Sequence, residues 1–172
     1  MSSQKPSFEQ AISASILWCN SWESGEISDE VLADRVKDLL ETIEGARGFF
    51  AISLSSENAL MDRLPLPLII QLRKSGKIVV DLLVKNLAMS SAMAITHYRN
   101  KKEDQKDSSE RIISRCQEVL RLMEPKLVKE RLENLIEGTN GKGEYENFIK
   151  RWGYDQEQKK AIKESALGVA QY

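Results

Sequence analysis

Few residues in this chain can exchange a proton, hold a metal or cradle a phosphate, and their spacing limits what they can build. His97 is the only histidine among 172 residues, so imidazole-dependent nucleophilic or zinc chemistry would have to pass through it. No metal-ligand cluster accompanies it in the sequence. Cys19 and Cys116 stand far apart, outside any C-x-x-C pair, and are expected to be reduced thiols. The run GTNGKGE, residues 138–144, is the one candidate phosphate loop. A Walker A loop needs four residues between its glycines and Ser or Thr directly after Lys, but here Gly143 follows Lys142. Read as a calcium loop with Gly143 at its sixth position, the run puts Gly138 where the first carboxylate belongs and Ile149 at the last ligand position. It therefore reads as a glycine turn. No catalytic residue is assigned, and no metal or cofactor is implied.

A second pattern is a line of polar residues. Asn86, Ser90, Met93 and His97 recur at i, i+4, i+7 and i+11, on one face of an otherwise apolar helical segment. If that line borders a cavity, Asn86, Ser90 and His97 are the groups to hold a small ligand, with Lys85 or Arg99 near the ends for an anionic group. The competing reading makes Ser90 and Ser91 small residues that allow close packing, and Asn86 and His97 structural hydrogen-bonding groups. Buried polar groups are usually satisfied in that way. Trp18 and Trp22 are the candidate partner-binding residues, against the ordinary alternative of packing inside the fold. Basic residues flank both ends of the apolar segment, Arg73, Lys74 and Lys77 at one and Arg99, Lys101 and Lys102 at the other. A helix of that length holds them about 35 Å apart at about 1.5 Å per residue. That spacing, with Tyr98 the only aromatic nearby, argues against a nucleic-acid track.

The elements that must position these groups are helices. The chain is 41% hydrophobic and 30% charged, with 9 Gly and 4 Pro, the profile of an ordered globular protein. The expectation is a single all-α domain over residues 1–172, six to eight helices around a buried central helix at 77–100. Residues 1–6 are expected to be extended or disordered, and 101–107 and 138–143 to be exposed loops. Ser7 with Gln10 has capping-box spacing and opens a helix from Phe8 to Glu23. Ser28 caps the next, whose rhythm Leu32, Val36, Leu39, Leu40 and Ile43 leads to a stop at Gly45. GFFAISL, residues 48–54, is the best strand candidate, yet nothing else in the chain could pair with it, so helix or extended linker is preferred. Ser55 or Ser56 is placed as the cap of a short helix to about Leu64. Pro65 and Pro67 keep the chain extended before a helix from Leu68 to Lys74. Asp107 with Glu110 opens the next long helix, Pro125 should kink or divide it, and Asp155 with Gln158 opens the last.

Net charge is −1, but residues 1–45 carry 3 basic and 9 acidic groups, and 46–102 carry 9 and 3, so the two regions should attract. The polar start has no signal-peptide pattern, and the uncharged stretch Asn86–Thr96 is shorter than the roughly 20 apolar residues a spanning helix needs. A cytoplasmic protein without membrane insertion is expected. A helical domain without a nucleophile, metal or cofactor motif points to an interaction or regulatory protein, with a protein partner or a homodimer closing over Trp18 and Trp22. The alternative is a small-molecule binder or enzyme along the central helix near Asn86, Ser90 and His97, where histidine titrates near neutral pH.

Overall fold

The computed structural model describes residues 4–170. Of the amino-terminal segment read as extended, residues 1–3 lie outside the described residues, and residues 4–6 precede the first helix without regular structure. The described residues form nine α-helices and one 3₁₀ turn, with no strand among them. The helices are α1 Phe8–Glu23, α2 Asp29–Leu39, α3 Ile43–Ser55, α4 Leu66–Lys74, α5 Gly76–Arg99, α6 Glu103–Arg121, α7 Pro125–Thr139, α8 Glu146–Arg151 and α9 Gln156–Gly168. The all-α expectation holds, with more helices than the six to eight read from the periodicity. The chain divides into two compact units, and the boundary falls inside α5, after Leu82.

The first unit is organised by α1 and α3. The Ser7 side chain accepts from the Gln10 N–H and the Gln10 side chain accepts from the Ser7 N–H, so α1 starts on a complete capping box. Gly48 lets the two helices approach closely, because a Cβ there would lie 2.5 Å from the Ala11 Cβ. Phe49 and Phe50 are fully buried in edge-to-face contact, 5.1 Å between ring centroids. The strand-like stretch 48–54 is thus helical, since its apolar residues pack on α1 while the helix satisfies its own backbone. Gly45 does not stop α2. Thr42 caps α3 by accepting from the Gly45 N–H at 3.0 Å, and a Cβ on Gly45 would sit 2.1 Å from the Leu39 carbonyl oxygen. In place of a helix capped by Ser55 or Ser56 there is a 3₁₀ turn, Ala59–Asp62, capped by Asn58. The Asn58 amide also donates to the Cys19 carbonyl at 2.8 Å.

The second unit comprises the rest of α5 with α6 to α9. Its core includes Leu83, Leu87, Cys116, Val119, Leu120, Leu135, Ile149 and Ile162, each at most 1% exposed. The charged run 101–107 is not a loop: α6 begins at Glu103, placing Glu103 and Asp104 in its first turn, where acidic groups favour the helix dipole. Lys101 makes the turn with φ +58°. Residues 138–143 are only partly loop, since Gly138 and Thr139 are buried and belong to α7. Pro125 divides the long pattern as expected, standing at the first position of α7. By length and composition α5 is long and apolar enough to cross a membrane, which the count of uncharged residues understated. However, 56% of its most apolar window is buried, as the core helix of a folded protein also requires.

Candidate functional site

Two surface features that could receive a ligand lie on α7 and α9. Glu124 caps α7, its carboxylate accepting from the Leu127 and Lys126 N–H groups at 2.8 and 3.1 Å, bonds that hold its pKa below the usual carboxylate range. Asp155 caps α9 through a second capping box with Gln158. The Gln158 amide is buried and donates to the Ala92 carbonyl and the Thr96 hydroxyl of α5, at 3.2 and 3.0 Å. Ser91 Oγ lies 2.7 Å from both the Leu87 carbonyl oxygen and the Ser165 hydroxyl. These contacts dock α9 on α5 and leave one α9 face for α7. The two helices run antiparallel, because the start of α7 shares a groove with the end of α9, and the end of α7 shares a cavity with the start of α9.

The groove has a volume of about 410 Å³. Leu120, Met123, Pro125, Val128, Leu132, Ile136, Ala166, Leu167, Val169 and Ala170 form its apolar walls, with Arg121, Lys129 and Glu133 at its polar positions. Arg121 reaches from α6 to the end of α9, donating to the Val169 and Gly168 carbonyls at 2.9 and 2.7 Å. It thereby satisfies acceptors a helix end leaves open. Lys129 and Glu133 pair with each other at 3.9 Å. Leu167 is 49% exposed, a large apolar side chain left uncovered. The cavity at the other end has a volume of about 360 Å³ and is lined by Gly138, Gly141, Glu146, Ile149, Lys150, Gly153, Tyr154 and Lys159. Tyr154 is half-buried, and desolvation raises its phenol pKa.

The residues singled out in the sequence do not assemble into one site. Along α5, Asn86 and His97 are half-buried and Ser90 is buried, while Met93 between them is 40% exposed. None of the four lines the groove, the cavity, or a third depression beside Lys37 and Lys74. Lys85 and Asn86 are each engaged within the fold. Arg99 donates to Asp155 and Glu157, both at 2.6 Å, so it clamps the start of α9. Trp18 and Trp22 are half-buried with engaged rings. The Arg35 guanidinium lies 4.9 Å from the Trp18 ring centroid, and the Trp22 indole N–H donates to Asp29 at 2.7 Å. Beside them Ile16 and Leu17 are exposed. Among the described residues no group of three His, Cys, Asp or Glu side chains could hold a metal ion. Both cysteines are buried free thiols whose pKa is pushed up by desolvation, that of Cys19 to about 11. The sequence marked Leu120, Met123, Val128, Leu132 and Ile136 only as apolar positions at helical spacing and gave no signal for Leu167, so the groove they line was not singled out as a site.

Fold and site together define an all-helical protein with an open apolar groove on one antiparallel helix pair. The chain belongs to the family described as uncharacterised conserved protein UCP020893, which it matches over residues 7–169. No curated protein matches it, and no solved structure does.

Proposed function

We propose that this chain is a cytoplasmic interaction protein that receives an apolar helical segment of a partner protein in the groove between α6, α7 and α9. The observation that carries the reading is the pairing of apolar walls with polar groups already engaged. Arg121 caps α9, and Lys129 and Glu133 are solvated groups of opposite charge on the rim, so recognition there rests on apolar contact and shape. Helix-in-groove recognition works in this way, with anchors at helical spacing entering an apolar channel. Buried, unbridged thiols suit a reducing compartment.

The test is a photo-crosslinking side chain placed at Lys129 on the groove rim, and separately at exposed Glu118, with the protein expressed in its native host. A discrete crosslinked protein is expected from the rim position and not from Glu118, and Leu167→Glu should weaken its capture about tenfold or more, as loss of an interface anchor does. Equal crosslinking from both positions, or capture indifferent to Leu167→Glu, refutes the groove. A second reading is a homodimer over α1. It is favoured by the adjacent exposure of Ile16 and Leu17, at 45% and 56%, rather than by the engaged tryptophans. Sedimentation of the wild type and of an Ile16→Glu, Leu17→Glu double variant decides it: a dimer dissociated by the pair supports self-association, and a monomer in both excludes it.

A further inference from the structure

We propose that the open cavity lined by the end of α7, by α8 and by the start of α9 binds a small hydroxylated phosphate monoester. Lys150 and Lys159 both line it, and neither ammonium group has an ion-pair or hydrogen-bond partner among the described residues. The carboxylates at the start of α9, Asp155 and Glu157, are both taken by Arg99, which leaves Glu146 as the one acidic side chain in the lining. Two ammonium groups against one carboxylate leave the lining with a net positive charge, which favours an anionic ligand. A phosphate dianion matches two ammonium groups, whereas a carboxylate matches one.

The rest of the lining narrows the class. Gly141 and Gly153 leave bare backbone on the wall, where a Cβ would meet nothing within 4 Å. Their φ values of +77° and +63° are ones side-chain-bearing residues rarely adopt. A ligand can thus approach the main chain at both positions. Glu146 also has no partner among the described residues, and as an ionised acceptor it suits a ligand hydroxyl. Ile149 and the half-buried Tyr154 ring supply an apolar wall. About 360 Å³ lies at the small end of ligand pockets, which run from about 300 to 1,000 Å³. The glycine run that fails as a Walker loop contributes Gly138 and Gly141 to this wall, while the positive charge comes from α8 and α9.

The experiment titrates the ¹⁵N-labelled chain with glucose 6-phosphate, and in parallel with glucose and with sodium sulfate. Saturable shifts of the Gly141 and Gly153 amides are expected with the phosphate ester, with sulfate about tenfold weaker and glucose without effect. The Lys150→Gln, Lys159→Gln pair should lower affinity about tenfold or more, the worth of a lost charge-assisted hydrogen bond. Lys150 is exposed and Lys159 half-buried, and protection of Lys159 from acylation by the ligand in the unaltered chain gives a readout independent of how the variant folds. Absence of saturable shifts at these glycines, equal affinity for sulfate, or a double variant retaining wild-type affinity overturns the proposal.

Discussion

The groove and the cavity are built by the same two helices and have opposite chemistry. Both lie between α7 and α9: the groove runs along α7 from Pro125 to Ile136, and the cavity opens beyond it at Gly138. At the groove, α6 contributes Arg121, whose guanidinium is consumed by the carbonyls ending α9. At the cavity, α8 contributes Lys150 together with Glu146, α9 adds Lys159, and Arg99 of α5 engages the two carboxylates at the start of α9. An antiparallel helix pair thus provides two frames. The neighbour packed across each end decides whether that frame presents apolar surface or a charged lining.

The largest perturbation should abolish the contrast by damaging the shared frame. Leu135 of α7 is fully buried, and Leu135→Ala is expected to cost about 2–5 kcal/mol through lost burial and the cavity left behind. Thermal denaturation checks this, and both sites should weaken together. Next comes Arg121→Met, which keeps much of the aliphatic stem and removes the two charge-assisted bonds to the end of α9, each worth about 1.5–3 kcal/mol at most. Amide exchange should rise at the end of α9 and not at its start. Gly138→Ala acts at the opposite end, since its Cβ would lie 3.0 Å from the Tyr145 Cβ and backbone carbon. Overpacking there should cost about 1–3 kcal/mol and alter binding in the cavity while leaving the groove intact. If Arg121→Met loosens both ends equally, the two sites are not separable.

How much of this was legible in the sequence follows from the range of the signals. Capping chemistry is local, so Ser7 with Gln10, Ser28, and Asp155 with Gln158 marked helix starts that the structure reproduces. Gly45 misled because its role is tertiary: it clears the Leu39 carbonyl at the start of α3 and terminates nothing. The charged run at 101–107 misled because acidic residues at a helix start resemble a solvated loop in composition. The sites were less legible than the helices. Arg121 and Gly168 are 47 residues apart, and no periodicity indicates which helix ends will meet. Arg99, read as a possible ligand group, is an interhelical clamp because its two carboxylates lie 56 and 58 residues away.

The smallest expected effect compares the two helix caps directly. Glu124 at the groove end and Asp155 at the cavity end both have pKa values below the usual carboxylate range, for different reasons. Glu124 is held down mainly by the Leu127 and Lys126 N–H groups, whereas Asp155 is held down first by Arg99 and then by the Gln158 N–H. A depressed folded-state value means that each contribution to stability is complete above the unfolded carboxylate pKa of about 4 and is lost as pH falls through the folded value. Arg99→Met should therefore raise the Asp155 titration midpoint only part of the way to its ordinary value, because the capping bond remains, and leave Glu124 unmoved. Carboxyl-carbon NMR titration of both proteins reads the two groups at once. An unchanged Asp155 midpoint would show that water screens the exposed Arg99 pair completely. In that case Arg99 would leave Asp155 and Glu157 free to compete for Lys150 and Lys159, and the charge contrast between the two ends of the helix pair would have to be smaller than the contacts imply.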